Sequence, residues 1–126
     1  MSERFDHISI VMPARNEEAG LSELLPQLAA LCPGAELIVV DDGSTDNTPT
    51  IAKKLSARVI KHPYPKGNGA AVKTGARAAS RDVVVFMDGD GQHRPEDVLR
   101  LLDKFGEGYD MVVGARGRSG QASLGR

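Results

Sequence analysis

Two aspartates at the end of an apolar run define the chemistry this chain is equipped for. Val83-Val84-Val85-Phe86-Met87 is followed at once by Asp88-Gly89-Asp90-Gly91-Gln92-His93. Residues two apart in an extended segment project to the same side, so Asp88 and Asp90 face one direction, while Gly89 and Gly91 let a ligand approach the backbone closely. Two neighbouring carboxylates at the rim of an apolar core are costly unless a cation neutralises them. Oxygen ligands of this kind favour a hard ion, Mg²⁺ or Mn²⁺, and such an ion usually brings phosphate oxygens with it. A second acidic pair, Asp41-Asp42 before Gly43-Ser44, closes another apolar run. A solvated turn after a strand also collects Asp and Gly, but two acidic edges on neighbouring strands define a site.

Other templates nearly fit, and the misses are informative. Gly67-Asn68-Gly69-Ala70-Ala71-Val72-Lys73-Thr74 resembles a phosphate-binding P-loop, with Val83 to Asp88 in the place of a Walker B strand. Val72, however, stands where the glycine before the lysine is needed, and the prolines before the loop do not suit a strand running into it. As a dinucleotide fingerprint the stretch gives Gly-x-Gly-x-x-Val at a third strand, not a first one. A calcium loop starting at Asp88 fails at His93, which should be glycine, and at Leu99, which should be glutamate. Several single residues have plain structural readings. Asn16 suits a helix cap, Glu17 a helix dipole, Lys66 a solvated loop and Arg116 the surface. His93 has no second histidine or cysteine at ligand spacing, and Cys32 has no basic neighbour to activate it.

The elements that must carry these residues alternate strand and helix. His7 to Met12 reads as a first strand closed by Pro13, and Asn16 as the cap of a helix whose Leu21, Leu24, Leu25, Leu28 and Leu31 form one apolar face. Pro26 should kink or shorten that helix. Ala35 to Val40 is a second strand. Thr48-Pro49 looks like a cap followed by proline at the first helical position, with Ile51 and Leu55 facing inward. Arg58 to Lys61 is a weak third strand, and residues 62–69 form a loop. Ala70 to Ser80 is a helix of small residues whose Val72, Ala76 and Ala79 can pack close to a sheet, and whose glycine-preceded start near Lys66 can face an anion. Asp82 to Met87 is a fourth strand. Pro95, Glu96 and Asp97 open another helix with Val98, Leu101, Leu102 and Phe105 on one face, and Tyr109 to Gly114 is a fifth strand. Such alternation implies βαβ units and a mostly parallel sheet, where ligands bind beyond the carboxyl ends of the strands. Pro13 to Glu17, Asp41 to Ser44, Asp88 to Gln92 and Gly114 to Arg116 then converge on one edge. Residues 116–126 have no periodicity and read as a loop or frayed end.

The totals bound the rest. A chain of 126 residues is one domain by length, and 16 basic against 17 acidic residues support neither a nucleic-acid surface nor a polybasic membrane tether. A single cysteine cannot form an internal disulfide, and neither a signal-peptide pattern nor an apolar run of transmembrane length is present. The expectation is a soluble, cytoplasmic protein that does not bind nucleic acid.

Five motifs now stand in order: Pro13-Ala14-Arg15-Asn16-Glu17; Asp41-Asp42-Gly43-Ser44-Thr45-Asp46; Lys66-Gly67-Asn68-Gly69-Ala70-Ala71 with Thr74-Gly75; Asp88-Gly89-Asp90-Gly91-Gln92-His93 with Pro95-Glu96; and Gly114-Ala115-Arg116. Their succession resembles family 2 glycosyltransferases, most closely the branch of dolichol-phosphate mannosyltransferase and the bacterial polyprenyl-phosphate sugar transferases. The resemblance spans nearly the whole chain. It implies a GT-A fold, a Rossmann-like, mostly parallel α/β sheet with helices on both faces, in which residues 1–115 bind a nucleotide-diphosphate sugar linked to GDP or UDP. It places Pro13, Arg15 and Glu17 along the nucleotide, Asp41 or Asp42 on the base, and Lys66 among the nucleotide-sugar contacts. Asp88 and Asp90, helped by Gln92, would hold Mg²⁺ or Mn²⁺ against the diphosphate, and Arg116 would lie near the phosphates or the acceptor. Arg15 stands where relatives often carry an aromatic residue.

The implied reaction is a metal-dependent, inverting transfer to a polyprenyl or dolichyl phosphate, catalysed with Asp88, Asp90 and Arg116. The developing charge on the departing nucleoside diphosphate is what a bound metal stabilises. Family members continue past the fifth strand, so the expectation is a truncated chain holding the nucleotide-sugar half, associated with a membrane through sequence beyond it. A non-catalytic nucleotide-sugar-binding module is the rival from another class, and a P-loop NTPase depending on Lys73 is the third.

Overall fold

The computed structural model describes residues 5–87, 96, 99–100, 111–113 and 123–124. Its sheet is laid down from the most apolar stretches of the chain. β1 (Ile8–Ala14), β2 (Glu36–Asp41), β3 (Arg58–Lys61), β4 (Val83–Phe86), β5 (Met111–Val113) and β6 (Ser123–Leu124) stand in the order β3-β2-β1-β4-β5-β6. All neighbours are parallel except β5 and β6. Ser123–Leu124 is thus a short antiparallel strand inside the stretch read as an aperiodic loop. Its sequence lacks the length needed for a periodic signal.

β1 is buried along its whole length because it is central and covered on both faces. Ile8, Ile10, Met12 and Ala14 point into one core cluster, while Val11, of opposite parity, belongs to the other. The first cluster holds α1 (Glu18–Leu31) through Leu21, Leu24, Leu25 and Leu28, and α2 (Thr48–Lys54) through Ala52. The second holds α3 (Asn68–Ala78) through Ala71, with Val72, Ala78 and Ala79 at its margin. Helices therefore cover both faces of the sheet.

Several boundaries differ from the sequence reading, each for a local reason. β1 continues through Pro13, although proline lacks the ladder donor. Val11 O accepts from Met87 N at 3.0 Å, so Pro13, two residues on, has its imide nitrogen toward the same side, and the β1–β4 register has already ended at Val11↔Phe86. α1 runs through Pro26 to Leu31; Pro26 is exposed and the leucines on the opposite side hold the helix to the sheet. α3 starts at Asn68 and ends at Ala78, and its tight face is Ala71 and Gly75, not Ala76, which is exposed.

The reason for Gly75 is steric. A Cβ there would lie 2.2 Å from Val11 Cγ1 and 3.2 Å from Val40 Cγ2, so the helix backbone rests directly on the two strands. Of the fourth expected helix, Glu96, Leu99 and Arg100 are described and helical, and Leu99 packs against the first cluster. Val98, Leu101, Leu102 and Phe105 lie outside the described residues.

The order in which strands are added reverses at β1. β2 and β3 extend to one side of it, β4 and β5 to the other. In open parallel sheets the crevice at such a reversal, outside the carboxyl ends of the strands, is where ligands bind.

Candidate functional site

Three segments meet at the carboxyl edge of β1, β2 and β3. The first is residues 15–17, after β1. Asn16 was expected to cap α1, but the cap position is Glu17, and Asn16 has φ +55°, a left-handed conformation that Asn tolerates better than most residues. Its side chain reaches sideways. Asn16 Oδ1 accepts from Thr45 N at 2.8 Å and Asp46 N at 3.3 Å, and Asn16 N donates to Ser44 Oγ at 2.9 Å. Next to it Glu17 N donates to Thr48 Oγ1 at 2.8 Å, and Asn47 N donates to Glu18 Oε1 at 3.1 Å. The turn after β1 is stitched to the turn after β2.

Within that second turn Thr48 is helical and buried, not the cap expected from Thr48-Pro49; Asn47 takes that position. Asp46 organises it, since its Oδ1 accepts from both Thr48 N and Thr48 Oγ1. Burial opposes ionisation of Asp46, but these bonds outweigh it and hold the carboxyl below the ordinary range.

Asp41 and Asp42 sit at the end of β2 and differ sharply in how they are used. Asp42 Oδ1 accepts from His62 Nδ1 at 2.8 Å and from Lys66 N at 2.8 Å; its Oδ2 accepts from Gly67 N at 3.0 Å. Burial works against its charge, yet the Lys66 amide, the His62 ring and the Gly67 amide together hold the carboxyl below the ordinary range. The amides ahead of α3 were expected to face an anion, and those of Lys66 and Gly67 do: the anion is Asp42. Those two donors are therefore engaged from within, unlike the open amides of a P-loop.

Asp41 is 1% exposed, and its Oδ1 accepts from Ser44 N at 3.0 Å. Its Oδ2 is buried and has no hydrogen-bond partner among the described residues. A buried carboxylate oxygen left without a donor costs free energy, and such an exception calls for an explanation, a ligand donor being one.

The third segment, residues 62–67, folds back over the Asp41–Ser44 turn. Gly43, at φ +77°, makes room for it, since a Cβ there would stand 2.6 Å from Pro65 N. His62 is buried at the root of this loop. Its backbone N donates to Asp41 O at 2.8 Å, and its Nε2 lies 2.9 Å from Thr74 Oγ1 on α3. Because a carboxylate only accepts, Nδ1 carries the proton toward Asp42. At the loop's tip Tyr64 is exposed, with Lys66 Nζ 5.4 Å from the ring centroid.

Of the residues singled out from sequence, Pro13, Arg15, Glu17, Asp41, Asp42 and Lys66 come to this one edge: Pro13 buried, Glu17 half-buried, Arg15 and Lys66 exposed at the rim. Asp88, Asp90, Gln92, His93 and Arg116 lie outside the described residues. β4, which ends at Phe86, carries the chain toward the same edge beside β1. Among the described residues no group of three or more His, Cys, Asp or Glu is arranged to hold a metal ion. Nor, among them, is any helix long and apolar enough to cross a membrane. Sequence reasoning missed His62, Thr74 and the sideways role of Asn16. The available signal for His62 was its place directly after a strand, at the edge where the other strands also end in polar residues.

The family model described as glycosyl transferase family 2 matches residues 9–125. A dolichyl-phosphate hexose transferase of Haloferax volcanii is 38% identical over 122 residues, covering 97% of this chain and 53% of that protein. Glucosyl-3-phosphoglycerate synthase from Mycobacterium tuberculosis, solved with Mn²⁺ and UDP-glucose, superposes with a TM-score of 0.70 at 36% identity over 80% of this chain and 39% of its own. A mannosyltransferase from Pyrobaculum calidifontis, solved with GDP-mannose and Mn²⁺, gives a TM-score of 0.62 at 26% identity over 67% of this chain and 27% of its own. The chain spans about half the length of the relatives it matches first.

Proposed function

This chain belongs to glycosyl transferase family 2, with a GT-A fold, and from that premise we propose that it forms the nucleotide-sugar-binding part of a metal-dependent, inverting transferase. The sugar comes from GDP-mannose or a UDP-sugar and goes to a polyprenyl phosphate. The observation that carries this reading is the buried Oδ2 of Asp41, which has no hydrogen-bond partner among the described residues, at the carboxyl edge of the sheet beside β1. A nucleobase presents ring N–H groups that such an oxygen accepts. Asp42 is already served by three internal donors. Asp41 is thus the base-reading member of the pair, and Asp42 builds the loop beside it. Arg15 and Lys66 at the rim supply positive charge for a diphosphate, as Arg116 does in the same reading.

Asp88 and Asp90, with Gln92, are the hard oxygen donors that would hold Mg²⁺ or Mn²⁺. When bound, the ion supplies Lewis-acid stabilisation of the departing nucleoside diphosphate. The solved neighbours that hold Mn²⁺ together with a UDP- or GDP-sugar support this choice. The name of the Haloferax relative supports a lipid phosphate acceptor. Such an acceptor is already anionic at neutral pH, so its attack on the anomeric carbon requires no general base.

The test is calorimetry of UDP, GDP and their sugars with and without Mn²⁺. Wild-type protein is expected to bind at least one diphosphate more tightly with Mn²⁺, Asp90→Ala to lose that dependence, and Asp41→Asn to weaken the nucleoside part. If Mn²⁺ changes the affinity of no nucleotide, the roles given to Asp88 and Asp90 are wrong.

A further inference from the structure

His62 is a buried, ionisable side chain that no step above uses, and it lies at the junction of three elements. Through Nδ1 it meets Asp42 at the end of β2, through Nε2 it meets Thr74 on α3, and its own backbone amide binds Asp41 O. Each neighbour is itself fixed. Thr74 precedes Gly75, where α3 rests on Val11 and Val40 without room for a Cβ. Asp42 holds the amides of Lys66 and Gly67. The imidazole therefore links the most tightly seated turn of α3 to the carboxylate that shapes the loop carrying Lys66.

We infer that His62 is a positioning residue for the diphosphate of the donor: through Asp42 and Thr74 it sets the 62–67 loop so that Lys66 stands at the pyrophosphate. This rests on the nucleotide-sugar reading above. Four features favour positioning over mere space-filling. Both ring nitrogens are used, so the ring has one orientation. Asp42 Oδ1 is shared between the ring and Lys66 N, each at 2.8 Å, so turning the ring away changes the acceptor that Lys66 depends on. The prolines on either side of Tyr64 restrict the loop's own torsions, so a small change at its root is carried to its tip. The Lys66 ammonium stands over the exposed Tyr64 ring, 5.4 Å from its centroid, a contact that favours one position for that charge.

The two ring nitrogens can be separated by substitution. Asn at position 62 places an amide near Nδ1 and keeps the bond to Asp42; Gln reaches the Nε2 position and keeps only the bond to Thr74. The experiment measures affinity for UDP and uridine, and for GDP and guanosine, with Mn²⁺ present and at a temperature where every variant is folded, with thermal stability recorded separately.

His62→Gln is expected to weaken diphosphate binding about tenfold while changing nucleoside binding little, since a hydrogen bond to a charged group contributes on that order. His62→Asn should recover most of the loss. Thr74→Val, which keeps shape and removes the hydroxyl, should weaken the diphosphate in the same direction by a smaller factor. Combined with Lys66→Ala, His62→Gln should add little further loss, because both act through one contact. If His62→Gln and Thr74→Val lower thermal stability but leave the diphosphate-to-nucleoside ratio at its wild-type value, the positioning role is refuted while the donor site stands. If wild-type protein binds no nucleoside diphosphate, the function proposed above fails and this inference with it.

Discussion

The seat of α3 on the sheet yields a prediction whose sign runs against helix propensity. Gly75 lies inside α3, where replacing glycine by alanine ordinarily gains about 1 kcal/mol. Here the new Cβ would stand 2.2 Å from Val11 Cγ1 and 3.3 Å from Val11 Cβ. Ordinary carbon contacts lie at about 3.5–4.0 Å, so the gap is short by more than an ångström. Val11 is fully buried on the central strand, and Val40 beside it is too, so neither has space to yield. Overpacking of a close-packed core costs about 1–3 kcal/mol. A clash of this depth against an immobile strand belongs at the upper end, and subtracting the propensity gain leaves a net loss of about 2 kcal/mol. Urea unfolding should show the midpoint falling by roughly 1–2 M at an unchanged slope. Gly69→Ala provides the control, because a Cβ there meets nothing within 4 Å, and it should be neutral or stabilising by up to about 1 kcal/mol. Val11→Ala removes the offending Cγ1, so the two substitutions should couple favourably in a double-mutant cycle. A Gly75→Ala protein as stable as wild type, with Gly69→Ala behaving as stated, would refute the close-contact argument.

Two further expectations concern the loops. The folded carboxyls of Asp42 and Asp46, ordinarily 3.8, are held below that value, and so, against the cost of burial, is that of Glu36 at the start of β2, ordinarily 4.5, by hydrogen bonds from Ser9 and Ser80. Their contribution to stability is therefore complete above those ordinary values and is lost as the pH falls toward the lower folded ones. Urea midpoints measured from pH 6 to pH 3 should fall on acidification, and Asp42→Asn should flatten that slope; an unaltered slope would remove Asp42 from the account. Asn16→Ala loses both the tolerance for positive φ and the bonds to Thr45 and Asp46, an expected cost of about 1–2 kcal/mol, whereas Asn16→Gly keeps the backbone and should lose less. Equal losses for the two would show that the backbone conformation contributes nothing.

The inner strands were legible because burial on both faces requires unbroken apolar runs, and β1, β2, β4 and β5 were read within a residue or two; the half-exposed Arg58–Lys61 was read to the residue, whereas Ser123–Leu124 was read as loop. The apolar face of α1 followed from leucine spacing alone. What composition could not show was which small residue touches the sheet. Ala71, Ala76 and Gly75 look alike in a helix of small residues, and the choice depends on how the helix is rotated over Val11 and Val40. Asn16 was misread because a cap and a cross-loop acceptor use the same side chain, and only the return of the chain at residues 44–46 distinguishes them. The division of labour between Asp41 and Asp42 was hidden for the same reason, since His62 and Lys66 approach Asp42 from 20 and 24 positions away along the chain.

The stitching of the three turns bears on any attempt to redirect donor preference by exchanging loops between relatives. Residues 15–17 are bonded to 44–48, and residues 62–67 to Asp41 and Asp42 at the start of the same turn, so a single transplanted segment would arrive without its counterparts. Recombination at this edge should succeed only when all three travel together with Thr74, and natural variation among them should be correlated in the same blocks.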